Sequence, residues 1–405
     1  MLGVGAGLAV RDAPPVAGVL DGVMFDETNF SFSTAGRIRF GAGAVSELAE
    51  LAAPLGHRVM LVTGANPRRH DDLVAGLDVA QSFALAHEPT MDDARAAVQA
   101  ARTAQADVVV AIGGGSVIDL GKAVGILLAG DGDPMDHAEV IGRGLPLPAV
   151  SVPVVAVPTT AGTGSEVSAN SVLASPEHQV KVSLRSPAML PRVALVDPEL
   201  TLACPPEVTA SSGMDALTQV IEPYTSPFAT PMTDGFCRTG LESAARGLRE
   251  AFIDGSNLAA RTDMALCSLM GGLALANAKL GAVHGLAGPL GGMTGAPHGA
   301  ICAALLPAVT AANVAALEQR DPESCALHRY ADVAELLTGV GDAAALVGWL
   351  GETVRTLEIG GLAELGLAES RIGEAVEKAA RSSSMKGNPV ELTPQELTFV
   401  LNGSM

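Results

Sequence analysis

The stretch "VVVAIGGGSVIDLGKAVG", residues 108–125, decides the fold. Five apolar, largely β-branched residues run without period-two alternation, the pattern of a strand buried on both faces of a parallel sheet. Three glycines follow, Gly113, Gly114 and Gly115, and then a helical pattern opening at Ser116. Glycines at that junction let the backbone approach a ligand closely, and the first turn of a helix offers free N–H groups and a dipole suited to phosphate. Asp119, three residues after Ser116, is placed to close a capping box. The turn is neither G-x-G-x-x-G nor a G-x-x-x-x-G-K-[ST] loop, so a plain strand-to-helix turn remains an alternative at this point.

Similar runs recur on either side: "RVMLVTG" (58–64), "VPVVAVPTT" (152–160) and "VALVDP" (193–198). Between the first two strands, "DDARAAVQAARTAQA" (92–106) has helical composition, with Thr90 as its expected cap. Alternating β and α units from about residue 36 to 200 predict a doubly wound, Rossmann-like α/β domain. Beyond residue 200 the strand signal stops. "PPEVTASSGMDALTQVIEPYTS" (205–226), "AARTDMALCSLMGGLALANAKLG" (259–281) and "HRYADVAELLTGV" (328–340) predict an all-helical domain over 201–405. Residues 1–35 are expected to be a loose extension, because their apolar run has no basic residue before it, unlike a secretory signal.

With 44 acidic against 25 basic residues the formal charge is −19. Such a surface repels nucleic acid and anionic lipid, so neither is an expected partner. Cys204, Cys237, Cys267, Cys302 and Cys325 are scattered without a C-x-x-C pair, which suits reduced thiols in a cytoplasm.

A second polar loop, "VPTTAGTGSEVSANSV" (157–172), places Thr159, Thr160, Thr163, Ser165 and Ser168 after a buried strand. In open α/β sheets that edge binds ligands. In "GMDALTQVIEPYTS" (213–226), Asp215 and Gln219 stand four residues apart, on one helix face. His284 and His298, two of only eight histidines, each precede a glycine.

Taken in order, "FGAGAVSEL" (40–48), "GGGSVIDLGKA" (113–123), the hydroxyl-rich loop, "GMDALTQVIEPYTS", "GAVHGLAGPLGGMTGAPHG" (281–299) and "GNPVELT" (387–393) resemble the iron-containing (group III) alcohol dehydrogenases. The resemblance implies the dehydroquinate synthase-like architecture of that family and hydride transfer between nicotinamide C4 and a primary alcohol or aldehyde. It further implies that Gly114, Gly115 and Ser116 bind the cofactor pyrophosphate. Thr159, Thr160, Thr163 and Ser168 would line its adenine and nicotinamide ends, Asp119 would approach the nicotinamide side, and Lys181 would reach the ribose. Where NAD-preferring members carry an Asp after the second strand, this chain has Gly64, with Arg68 and Arg69 just beyond. That pattern suits a 2′-phosphate and points to NADP over NAD, an exposed arginine pair being the alternative.

The family holds a divalent metal such as Fe²⁺ or Zn²⁺ with an Asp and three His, which assigns Asp215, His284 and His298 as ligands. Gln219 stands at the remaining His position, as a weak fourth ligand or a water-mediated neighbour. Gly288 occupies the place of a further His near the substrate. An amide oxygen is a harder and weaker ligand than imidazole, so a weakened site is expected. Two other readings stay open: a metal-independent reductase of the maleylacetate reductase type, and a lyase or catalytically idle relative on the same scaffold. Relatives commonly form dimers or larger assemblies.

Overall fold

In the computed structural model, which describes residues 29–138, 141–178 and 180–405, "VVVAIG" forms the expected strand at Val108–Gly113. Most of the extension read over residues 1–35 lies outside the described residues. Among the described residues eight strands follow one another in chain order: β1 (Arg37–Phe40), β2 (Val59–Gly64), β3 (Val79–Leu85), β4 (Val108–Gly113), β5 (Val154–Pro158), β6 (Asn170–Ser175), β7 (Val180–Arg185) and β8 (Val193–Val196). Six form one sheet in the order β1-β8-β5-β4-β2-β3, with every pairing parallel. Both faces are covered. Met60, Val62, Val109 and Ala111 belong to one apolar cluster, while Val59, Leu61, Val108, Val110 and Ile112 belong to another on the opposite face. This two-sided burial explains the unbroken β-branched runs.

The helices among these strands are α1 (Leu48–Ala52), α2 (Asp71–Val74), α3 (Met91–Thr103), α4 (Gly115–Leu128) and α5 (Pro134–His137). Thr90 caps α3 through a complete capping box with Asp93. At the glycine turn the local expectation fails in two details. The N-cap of α4 is Gly114, so the helix opens at Gly115 and not at Ser116. No side chain caps it, because both Asp119 carboxylate oxygens are engaged elsewhere, by Ser165 Oγ and by the Val172 N–H.

Chain direction places the turn well. From β2 the chain moves outward to β3, then returns to the other side of β2 for β4 and continues away through β5 and β8. The β2/β4 boundary is therefore the switch point, where a crevice opens beyond the strand ends. Gly64 ends β2 and Gly113 ends β4 at that crevice. The antiparallel hairpin β6–β7 stands outside the main sheet.

After β8 the structure is helical: α6 (Pro206–Thr225), α7 (Pro231–Ile253), α8 (Leu258–Ala278), α9 (Ala282–Thr294), α10 (His298–Arg320), α11 (Cys325–Thr338), α12 (Ala343–Thr356), α13 (Ile372–Ala379) and α14 (Pro394–Gly403). Helix α6 starts with proline, which loses no needed N–H there. It is buried at every position from Gly213 to Thr225 and packs against α7, α8 and α10. Any polar side chain on this stretch therefore needs a partner or a function. By length and composition α8 and α10 are apolar enough to cross a membrane. Here α8 packs on α6 and α7, and α10 on α6, α9 and α12.

Candidate active site

A solvent-open cleft lies between the carboxyl edge of the sheet, the β6–β7 hairpin and helices α6, α8, α9 and α10. Its walls bring together eleven of the residues singled out in the sequence. Gly115, Ser116, Asp119, Thr163, Ser165, Ser168 and Lys181 come from the α/β part, and Asp215, Gln219, His284 and His298 from the helices. Gly64, Gly114, Thr159 and Thr160 do not line it. Thr159 and Thr160 pack on the glycine turn instead: Thr160 Oγ1 would be 3.3 Å from a Cβ on Gly114, and the Thr159 N–H donates to Gly113 O at 2.9 Å.

The glycine turn requires its glycines. A Cβ on Gly113 would strike Val117, and one on Gly115 would come within 2.6 Å of the Thr163 side chain. The two polar loops therefore pack directly on one another. Behind them sits Lys122, which is fully buried. Its Nζ donates to Ser165 O (2.9 Å) and Ser168 Oγ (3.1 Å) and pairs with Asp119 at 3.1 Å. Burial lowers the Lys122 pKa, against the pull of Asp119. Lys122 thus ties α4 to the hydroxyl-rich loop, and Asp119 extends that tie to the hairpin through Val172. Reading the sequence residue by residue missed Lys122, although its i, i+3 spacing from Asp119 was the available signal. On the far wall Lys181 Nζ pairs with Glu88 at 2.5 Å. Arg68 and Arg69 are exposed after β2, and neither enters an ion pair among the described residues.

The polar groups of the helical wall are arranged around one carboxylate. Asp215 is buried, and Gln219 Nε2 donates to its Oδ2 at 2.8 Å. Its Oδ1 has no hydrogen-bond partner. Two imidazoles face that oxygen, His284 Nε2 at 3.4 Å and His298 Nε2 at 3.8 Å. His284 Nδ1 donates to Glu222 Oε2 at 2.6 Å, and Glu222 Oε1 accepts from the Val283 N–H at 2.7 Å. Burial works against a charged His284, but Glu222 and Asp215 outweigh it and push its pKa up to about 10. Burial would also raise Asp215, yet His284, His298 and Gln219 hold it below the usual carboxylate range. Cys302, one turn after His298 on α10, brings Sγ to 3.6 Å from His298 Nε2. Asp215, His284, His298 and Cys302 each offer one ligand atom, all within 4.8 Å of one another.

An orphaned, buried carboxylate oxygen facing two imidazole nitrogens is a strained arrangement without a cation and a favourable one with it. The residues present fit a divalent metal. Glu222 and Cys302 went unread in the sequence. Glu222 sits seven residues after Asp215 and three after Gln219, on the same helical face, and Cys302 stands at i+4 from His298; both spacings were visible.

Residues 35–198 match the family model for iron-containing alcohol dehydrogenases, and residues 209–405 match that for the C-terminal part of the same family. The chain is 36% identical to a 1,3-propanediol dehydrogenase of Klebsiella pneumoniae, over 89% of this chain and 95% of that protein. It is 32% identical to an NAD-dependent methanol dehydrogenase of Bacillus methanolicus, over 93% of this chain and all of the other. The crystal structure of a 1,3-propanediol oxidoreductase superimposes with a TM-score of 0.85 at 32% identity, covering 93% of this chain and 100% of that one. The chain belongs to the iron-containing alcohol dehydrogenase family, and is an oxidoreductase of its alcohol dehydrogenase/aldehyde reductase type.

Proposed function

We propose that this enzyme interconverts a small primary alcohol and its aldehyde in the cleft between the α/β layer and the helices, with NAD(P)(H) and a divalent metal such as Fe²⁺ or Zn²⁺. The observation that carries this reading is Asp215 Oδ1, unpartnered and facing His284 and His298, in the same cleft as the N-terminus of α4. Asp215, His284 and His298 would hold the metal, which when bound polarises the alcohol or carbonyl oxygen, while the nicotinamide carries the hydride. Everything else is positioning by the chain. Gly114, Gly115 and Ser116 present free N–H groups of α4 to the dinucleotide pyrophosphate. Thr163 and Ser168 line its path, and Thr159 and Thr160 back the glycine turn beside it. Lys122 keeps Asp119 and Ser168 in place beneath the nicotinamide end, and Lys181 reaches its ribose from β7. Glu222 holds the His284 proton on Nδ1, which leaves Nε2 as the atom turned to Asp215. Small and aliphatic groups, Val172, Ala174, Leu275 and Leu280, shape the remaining wall. Gly288, one turn after His284, brings no side chain to its surroundings, and a Cβ there would meet nothing within 4 Å; a substrate longer than methanol suits this reading.

NADP is the preferred dinucleotide in this reading. Gly64 brings no carboxylate to the end of β2, and the exposed Arg68 and Arg69 suit a 2′-phosphate. The natural setting is a cytoplasm, with domains over 36–200 and 201–405 and a homodimer or larger assembly.

The test is metal analysis of purified protein together with aldehyde-dependent oxidation of NADPH and NADH, before and after chelation. Activity that falls on chelation and returns with Fe²⁺ or Zn²⁺ is expected. Full turnover by metal-free protein would replace this mechanism with a metal-independent one. Gly64→Asp is expected to shift preference from NADPH toward NADH, since a side chain there meets no atom within 4 Å. A wild-type preference for NADH removes the NADP assignment alone.

A further inference from the structure

We propose that Cys302 is the fourth protein ligand of the metal and that Gln219 is not a ligand but positions Asp215. The inference rests on the metal-binding reading above and assigns the site's remaining corner.

A tetrahedral site with bonds of about 2.0–2.3 Å sets its donor atoms roughly 3.3–3.8 Å apart. Asp215 Oδ1 to His284 Nε2 is 3.4 Å, Asp215 Oδ1 to His298 Nε2 is 3.8 Å, and His298 Nε2 to Cys302 Sγ is 3.6 Å. Three edges of the figure already have the required length, and the rest lie within 4.8 Å. The ligands come as single residues or i, i+4 pairs from three helices: Asp215 on α6, His284 on α9, and His298 with Cys302 on α10. Gly299 makes the approach of α10 to α6 possible, because a Cβ there would collide with Ser211 O and lie 3.3 Å from Asp215 Cβ.

Gln219 is used differently. Its Nε2 donates to Asp215 Oδ2 at 2.8 Å, which commits the donor end of the amide to the carboxylate and leaves two buried oxygens without partners, Asp215 Oδ1 and the amide's own Oε1, of which Oδ1 is the one facing both imidazoles. Cys302 is fully buried beside Asp215, so its sulfur has no access to bulk water and a metal is the partner its thiolate form would need. On coordination a sulfur–metal bond forms and the thiol proton leaves to solvent. A thiolate also turns the site toward Zn²⁺ or Fe²⁺ and away from hard Mg²⁺.

The deciding experiment is optical spectroscopy of the full-length protein loaded with Co²⁺, on wild type, Cys302→Ser, Cys302→Ala and Gln219→Ala. Circular dichroism verifies folding. Wild type is expected to show a near-ultraviolet thiolate-to-cobalt charge-transfer band. Both Cys302 variants should lose that band while keeping visible ligand-field bands from the Asp215, His284 and His298 set. Gln219→Ala should keep it. Zn²⁺ affinity of the Cys302 variants, measured against a chromophoric chelator, should fall by more than the roughly 10–100-fold that losing an outer-shell partner costs. Cobalt bound without the band in wild type, or with the band intact in Cys302→Ser, overturns the Cys302 assignment and leaves the metal reading standing. Wild-type protein that binds no cobalt sinks both.

Discussion

Glu222 shows what a single carboxylate can decide in this molecule. It accepts from His284 Nδ1 at 2.6 Å and from the Val283 N–H at 2.7 Å, fixing both the ring and the first turn of α9. Glu222→Gln keeps the shape but donates where it should accept. Metal affinity is expected to fall about 10–100-fold, as it does when an outer-shell partner of a ligand His is lost, and competition with a chelator measures it. Unchanged affinity would reduce Glu222 to a helix-end contact. Glu166 offers a test of a different kind. It is buried, and burial lifts its pKa to about 7, with Lys122 opposing. A carboxylate raised in the folded state contributes full stability below its ordinary pKa and loses it as pH rises through the folded value. Between about pH 5.5 and pH 8 wild type should therefore lose about 2 kcal/mol relative to Glu166→Gln, at about 1.4 kcal/mol per pKa unit. Urea denaturation at both pH values checks this, and parallel curves for the two proteins would remove Glu166 as the cause.

Elements buried on both faces were legible as sequence; those with a wet side were not. β2, β4, β5 and β8 read as unbroken apolar runs because nearly every residue is buried. β1 and β3 are the edges of the sheet, and their polar residues, as in "RIRF" and "VAQSFAL", hid them. The β6–β7 hairpin alternates buried with half-buried residues, so its first strand passed for a polar loop. The candidate site was legible in the same uneven way. Motif residues were found, but Lys122, Glu222 and Cys302 needed the helices to be placed against each other. Gly299 carries that placement. Gly299→Ala should cost about 1–3 kcal/mol through overpacking of α10 on α6 and weaken metal binding by displacing His298. Gly348 lies inside α12, exposed, with nothing within 4 Å of its Cβ position, and Gly348→Ala should instead gain about 1 kcal/mol from helix propensity. Denaturation of the two variants gives opposite signs if helix contact is what Gly299 protects. A neutral Gly299→Ala would mean that α10 can shift without consequence.

At the scale of the whole molecule, an anionic dinucleotide must approach a protein with a formal charge of −19. The groups that hold it act within a few ångströms, whereas the net field reaches as far as the Debye length, about 30 Å at 0.01 M salt and about 8 Å at 0.15 M. Raising salt over that range removes most of the long-range repulsion and leaves contacts inside the cleft less affected, because partly buried pairs are screened less. Association of NADPH should therefore become faster with salt, by up to roughly tenfold, the lower end of electrostatic effects on encounter rates. Dissociation should change less. This reverses the usual behaviour of proteins that attract their charged ligands, and stopped-flow fluorescence of the bound nicotinamide reads both rates. An association rate that falls with salt would mean that Arg68, Arg69 and Lys181 dominate the field at the cleft mouth despite the acidic remainder. The variant Arg68→Ala/Arg69→Ala then distinguishes the cases: it should slow association at low salt far more under local steering than under global repulsion.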